Sequence, residues 1–225
     1  KEAWQERQTS SNAEKTLIPY LKSRGVASLD VLVLTHTDTD HMGDMLEVAK
    51  HFSIKEIYVS KGSLTQPDFV QKLEQIETSV HVVEVGDEIP VFDSALQVLY
   101  PSGTGDGGND DSIVLYGEFF RTKFLFTGDL ERQGETELLK RFPQLKADVL
   151  KAGHHGSKGS SSPEFLEQIQ PKLALISAGQ NNRYRHPHQE TLQRFEKFNT
   201  AIYRTDQQGA IRLIGWNSWR IETVH

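Results

Sequence analysis

Four potential metal ligands fall within six residues in the segment Thr35-His36-Thr37-Asp38-Thr39-Asp40-His41-Met42-Gly43. Alternate residues of an extended chain point to one side, so His36, Asp38 and Asp40 are expected to share a side. His41 comes round as the chain turns at Gly43, and the intervening threonines are too small to obstruct an ion. Imidazole suits zinc, iron or manganese, and carboxylates shift the preference toward harder ions. A divalent cation is therefore the expected cofactor, manganese first and zinc second. The competing reading is a solvated polar loop that happens to hold two His and two Asp. The ligand density and the elements on either side weigh against it.

Those elements are a strand and a helix. Residues 30–35 form a continuous apolar run, the pattern of a strand covered on both faces, and Asp44 is expected to cap a helix to residue 52. With a preceding helix over 12–22 and a strand over 56–60, the first third reads as a crossover unit. Helices follow over 67–76, 131–142, 163–169 and 187–198. Strands are expected over 80–85, 89–91, 95–100, 112–116, 123–126, 148–152, 173–177, 202–204, 210–214 and 219–223, with a hairpin turn at Gly117-Glu118. Mixed hairpins and crossovers favour sheets faced by helices over a doubly wound parallel sheet. With no internal repeat or low-complexity linker, residues 1–225 are expected to form a single domain.

Composition removes several chemistries. The chain has no cysteine, which excludes disulfides, thiolate nucleophiles and Cys-ligated zinc. A chain without thiols suits an oxidising exterior slightly better than a reducing compartment. No Gly-x-Ser-x-Gly elbow is present to support a serine nucleophile. The net charge of −6 is not the footprint of a general nucleic-acid binder. The charge is uneven, however: residues 151–225 carry 10 basic against 6 acidic side chains, leaving 15 against 25 in the first 150. An acidic part that gathers metal and a mildly basic part that meets an anion is the division this suggests. No run of 18 apolar residues spans a membrane.

The His36–His41 loop resembles the H-x-[HD]-x-D-H signature of the metallo-β-lactamase superfamily, with Asp38 where many members have His. The resemblance implies a mixed α/β, αββα sandwich with its metal at loop ends along one edge. It also implies further ligands in chain order. Asp129, after the apolar strand and Thr-Gly, takes the bridging position. His154 and His155, in Lys151-Ala-Gly-His-His-Gly-Ser157, supply the last motif. Two adjacent residues of an extended strand cannot face the same way, which leaves open which of the two binds the ion; His155 is preferred, with His154 buried or behind it. The superfamily's middle histidine has no counterpart: His51 ends a helix, His81 lies in a strand, and the loop Asn109-Asp110-Asp111-Ser112 occupies its place. One firmly held ion is expected, or a second, weaker one at His36 and Asp38 with Asn109 or Asp111.

Within the superfamily, the segments Ser177-Ala-Gly-Gln-Asn-Asn182, His186-Pro-His188 and Thr205-Asp206 before Gly209 are similar to those of the nuclease domain of the ComEC family of DNA-uptake channel proteins. That resemblance implies a nuclease that degrades the non-imported strand, single- or double-stranded DNA as partner, and attachment to the rest of a membrane channel protein. It implies a place on the extracytoplasmic face of a bacterial membrane, without membrane contact by this segment. The family's opening hairpin, with its "GQGD" and "IDTG" segments, has no counterpart before Lys1, so the first strands of one sheet are expected to be missing.

For phosphodiester cleavage, Asp40 or Asp129 would orient the attacking water, and Lys158, Arg183 and Arg185 would meet the phosphate. His186 would protonate the leaving alkoxide or hold a phosphate oxygen. Asn109, Asp111 and Ser112 are expected to face substrate, and Tyr184 to stack on a base. Thr205 and Asp206 are read as shaping a turn, and Ser157, Ser160, Ser161 and Ser162 as a flexible polar loop. Two other functions fit the motifs: an esterase for small phosphodiesters such as choline phosphate, and a catalytically weak domain that binds DNA or a partner.

Overall fold

The computed structural model describes residues 11–215 and 219–224. Strands β1 (Ser28–Leu34), β2 (Ser53–Ser60) and β3 (Ser79–Val83) form a parallel sheet in the order β1-β2-β3. A second sheet has seven strands: β4 (Glu88–Val91), β5 (Ser94–Tyr100), β6 (Val114–Phe119), β7 (Thr122–Phe126), β8 (Val149–Lys151), β9 (Leu173–Ile176) and β10 (Ala201–Arg204). They lie in reverse chain order, antiparallel from β4 to β7 and parallel from β7 to β10. Strands β11 (Ala210–Gly215) and β12 (Trp219–Val224) make an antiparallel pair.

The period-2 alternation of the strands sorts the side chains into layers. Val31 and Val33 of β1 pack with Tyr58, Val98, Ile113, Leu115 and Phe126 between the two sheets. Leu32 and Leu34 pack on the opposite side, against Met42, Met45, Val48, Phe52, Phe69 and Leu73. Those outer residues come from α2 (Thr39–Met42), α3 (Met45–His51), α4 (Pro67–Leu73) and the residue after α3, with α1 (Ile18–Ser23) joining them through Ile18. The second sheet repeats the rule. Its outer face sends Val114, Leu125, Leu150, Ala174 and Ile176 against α5 (Arg132–Arg141), α6 (Pro163–Ile169) and α7 (Gln189–Lys197). On its inner face Phe124, Val149 and Leu173 meet Leu213, Trp219 and Ile221 of the β11–β12 pair. The expected αββα layering is thus present, and it explains why β1 reads as apolar on both faces. No helix among the described residues is long and apolar enough to cross a membrane.

Three local expectations are corrected. The β6–β7 turn lies at Phe120-Arg121, both left-handed at φ 50° and 64°, not at Gly117-Glu118. Gly117 is inside β6, where a Cβ would come 2.7 Å from Leu96 Cδ2. Asp44 stands at the N-cap of α3 as expected, but its side chain makes no capping bond; its carboxylate accepts the Ala13 backbone N–H (2.7 Å) and ties the N-terminal helical segment to the loop. The serines after His155 are packed. Ser160, Ser161 and Ser162 are buried, and the backbone N–H groups of Ser161 and Ser162 donate to buried Glu135 (2.5 and 2.9 Å). Ser162 also caps α6 through the Phe165 N–H.

Candidate metal centre

The ligand-bearing loops converge at one end of the sandwich, and the local backbone departs from the extended path expected there. Residues Thr39–Met42 form the single turn α2. Asp40 is thereby taken off the extended path expected for it, while the His41 ring stays beside that of His36, their centroids 4.1 Å apart. His36 and Asp38 remain neighbours, Nε2 to Oδ2 at 3.8 Å. Asp40 lies instead with its Oδ2 3.2 Å from His155 Nε2.

The Gly-His-His-Gly segment holds the larger correction. It is not extended: His154 (φ 46°, ψ 48°) and His155 (φ 53°, ψ 21°) are both left-handed. Such backbone is costly for non-glycine residues and is found where surrounding structure imposes it. Here it turns both rings toward Asp129, whose Oδ2 lies 3.5 Å from His155 Nε2 and 3.7 Å from His154 Nε2. Each ring is held by its other nitrogen. His155 Nδ1 donates to the Ser177 carbonyl (2.8 Å) and His154 Nδ1 to Glu131 Oε1 (2.9 Å). Such bonds fix the tautomer and leave Nε2 as the free ligand atom. Glu131 carries no chemistry-bearing motif and is not singled out in the sequence.

Asp129 is the hub. It is 2% exposed, follows β7 through a left-handed Gly128 (φ 52°), and its backbone N–H donates to Ser112 Oγ (3.0 Å). A Cβ on Gly128 would lie 2.7 Å from that of Ser112, so the turn admits only glycine without displacement. His41 Nε2 lies 3.1 Å from Asp129 Oδ1 and 3.2 Å from His155 Nε2. Asp40, His41, Asp129 and His155 therefore offer four ligand atoms all within 4.8 Å of one another.

The donor set fits a divalent ion. Nε2 of the fully buried His36 has no hydrogen-bond partner, and Oδ1 of the buried Asp129 faces the His41 ring nitrogen at 3.1 Å. Orphaned polar atoms of this kind are expensive in a folded interior unless something polar or charged meets them. Burial, then the neighbouring His41, push the His36 pKa down to about 4, against the pull of Asp129, Asp38 and Asp40. The ring is neutral at neutral pH, the form that binds metal. A hydrogen bond from His155 holds the Asp40 carboxyl well below its ordinary range despite burial. Burial alone would raise Asp129, but His41, His155 and His154 outweigh it and hold the carboxylate ionised.

The remaining residues separate into two groups. Asp111 and Ser112, expected to face substrate, are buried and engaged by the protein. Asp111 Oδ2 accepts from Ser60 Oγ (2.8 Å) and from the Gly107 N–H (3.2 Å), and Ser112 Oγ lies 3.2 Å from His36 Nδ1. They build the loop and orient His36. Asn109 is partly buried, with an Oδ1 that has no partner. His51 bonds the Glu47 carbonyl and His81 stacks on Tyr58, so neither is a middle ligand. Thr205 bonds both the N–H and the carbonyl of Ala178, and Asp206 pairs with Arg204, in the one-turn helix α8 (Thr205–Gln208).

His186 does join the cluster, its ring 5.4 Å from that of His154 and 6.4 Å from that of His155. Arg183 and Tyr184 line, with Asp40, His41 and Ser177, an open hollow of about 970 Å³. Lys158 lines a different depression, with Glu131, Arg132 and Arg194, and Arg185 is exposed outside both.

One cation near the site is absent from the sequence expectations. Lys151 ends β8 on the inner face of the second sheet, in register with Phe126 and Leu175, and donates to the Ala152 carbonyl (3.0 Å). Burial lowers its pKa, while Asp129 opposes the shift. Strand alternation was the available signal: Lys151 shares the face of Val149, the inward one.

A model of the "Metallo-beta-lactamase superfamily" matches residues 6–180. The chain is 43% identical over 216 residues to ComE operon protein 3 of Bacillus subtilis (strain 168), covering 94% of this chain and 28% of that protein. It is 33% identical over 208 residues to Competence protein ComA of Neisseria gonorrhoeae, covering 91% of this chain and 28% of that protein. It thus spans little more than a quarter of these relatives. Among solved structures, the metallo-beta-lactamase fold protein YhfI of Bacillus subtilis superposes with a TM-score of 0.55 at 11% identity, over 87% of this chain and 81% of that one, a likeness of fold alone.

Proposed function

Because the chain belongs to the metallo-beta-lactamase superfamily, we propose that it is a metal-dependent phosphodiesterase that cleaves DNA, serving uptake by degrading the strand that is not imported. The observation that carries the reading is the tetrad Asp40–His41–Asp129–His155, two of whose members, Asp40 and His41, line an open hollow that also presents Arg183 and Tyr184. Support for the DNA substrate comes from a relative named as a competence protein. That relative and ComE operon protein 3, of each of which the chain spans 28%, support a longer parent protein; its membrane channel and the extracytoplasmic place of this segment are part of the proposal.

Asp40, His41, Asp129 and His155 would hold the ion, with His36 and Asp38 available to a second. A divalent ion supplies Lewis acidity and an acidified water at neutral pH. The chain's own residues supply the rest. Asp40, at the lining of the hollow, would orient the attacking water. Lys151 places positive charge beside Asp129 and His155, where a phosphoryl transition state would accumulate negative charge. Burial, then His188, His154 and His155, hold the His186 pKa down to about 4, so its ring is neutral at neutral pH. It then serves as a hydrogen-bond donor to a phosphate oxygen, rather than as a charged acid for the leaving alkoxide.

The test is cleavage of end-labelled single-stranded DNA by metal-free protein titrated with manganese or zinc, with Asp40→Ala alongside. Metal-dependent cleavage in the wild type that the variant lacks is the expected result. Turnover that is equal in both proteins would overturn the assignment.

A further inference from the structure

A file of near-parallel rings leads from the metal centre to the surface of the hollow. The rings of His155 and His186 are 6.4 Å apart at 19°, and those of His186 and Tyr184 are 5.7 Å apart at 26°. The Arg183 guanidinium lies over the Tyr184 ring at 4.6 Å and also bonds its hydroxyl. The file ends in the open, since Tyr184 is 57% exposed. An exposed tyrosine is ordinary on a surface; this one is held in place by its loop. Asn182 belts the loop across its base: its Nδ2 donates to the carbonyls of Gly179 (2.9 Å) and His186 (2.6 Å), and its Oδ1 accepts the His186 N–H (2.9 Å). Asn181 and Arg185, both left-handed, bracket the exposed pair. The excursion is thus fixed by three side-chain bonds, and its tip lines the same hollow as Asp40 and His41.

We infer that the Arg183–Tyr184 layer is a stacking platform for an unpaired base next to the scissile phosphate, so that this site selects single-stranded over duplex DNA. The inference rests on the nuclease reading of the metal centre. Phenol rings and guanidinium planes both accept the face of any base, without regard to its identity. A base inside a duplex has its faces covered by its neighbours and must be unstacked first, at a cost that a single strand largely escapes. The file places the platform two ring spacings from His155, so a base flanking the bond to be cut reaches it while the phosphate lies at the ligands.

The test separates binding from cutting. Anisotropy of a labelled oligothymidylate is compared with that of a strand of equal length bearing abasic sites, using the 225-residue chain with manganese. Wild-type protein is expected to bind the base-bearing strand roughly tenfold more tightly. Tyr184→Ala should lose that preference while keeping its metal content, and Tyr184→Phe should retain it. Equal affinity of the wild type for both strands, or a preference that survives Tyr184→Ala, overturns the platform even if DNA is cleaved. Base-dependent binding through Tyr184 without any cleavage leaves the platform standing and removes the nuclease reading instead.

Discussion

His41 and His155 are 114 residues apart in the chain, yet their Nε2 atoms lie 3.2 Å apart. The Nδ1 of His155 is already bonded to the Ser177 carbonyl, so Nε2 is the nitrogen that faces both His41 and Asp40. Two nitrogens each about 2.0–2.1 Å from one tetrahedral ion lie roughly 3.3 Å apart, close to the spacing found. The Asp40–His155 and His41–Asp129 separations, 3.2 and 3.1 Å, match as well. His41→Ala and Asp129→Ala are therefore each expected to lower bound metal measured by elemental analysis. For the wild type, chelation should lower the melting temperature by roughly 5–10 °C if the ion is present at about a hundredfold over its dissociation constant. Unchanged metal content in both variants would sink the ligand assignment.

Glu131 acts through His154. Its carboxylate takes the Nδ1 proton at 2.9 Å and leaves Nε2 aimed at Asp129. Carboxylates placed behind a ligand histidine typically contribute about 10–100-fold in metal affinity or activity. Glu131→Ala should weaken metal affinity within that range, and Glu131→Gln, which can still accept from the ring, should recover much of it. Competition with a chromophoric chelator measures both. Identical affinity in all three proteins would show that His154 stands outside the metal shell.

The sandwich was legible in the sequence because both faces of each sheet are covered by apolar layers, which leaves strands such as β1 continuously hydrophobic. The ligand identities were legible from His36, Asp38, Asp40 and His41, dense in one loop. The path of the backbone was not. The left-handed His154 and His155 are held by tertiary bonds to Glu131 and Ser177, and no local propensity announces either them or the helical turn over Thr39–Met42. Asp111 illustrates the same limit: its burial depends on Ser60, 51 residues away. Lys151 was hidden differently, as a charged residue at the end of an apolar strand, where a solvated terminus is the ordinary expectation.

Lys151 is a cation on the inner face of the sheet, flanked by Phe126 and Leu175, and its ammonium donates to the Ala152 carbonyl. Its charge senses Asp129 and opposes protonation of His155. Lys151→Met keeps the length and apolar stem of the side chain and removes the charge. Turnover of DNA is expected to fall by roughly 10²–10³, the cost of losing one electrostatic stabiliser, with metal content retained. A kcat within twofold of wild type would remove Lys151 from the chemistry and leave it as a packing residue.

At the opposite ends of β7, β8 and β9, Asp148 ties three strands together. Its carboxylate accepts the Lys123 backbone N–H (3.0 Å) and the Lys172 ammonium (2.8 Å). Partial burial would raise its pKa, but Lys172, the Lys123 N–H and the charges of both lysines hold it below the ordinary value. A carboxyl depressed in the folded state stabilises the fold above its unfolded pKa, near 3.9. That stabilisation disappears as pH falls through the folded value. Asp148→Ala should therefore cost about 1–2 kcal/mol at pH 7, read as a shift in urea midpoint at unchanged slope. The gap between variant and wild type should narrow from about pH 4 downward. Metal content should not change, since the ligands sit at the other strand ends. A gap that stays constant from pH 7 to the acid limit of folding would mean that Asp148 stabilises the sheet by packing, not by its charge.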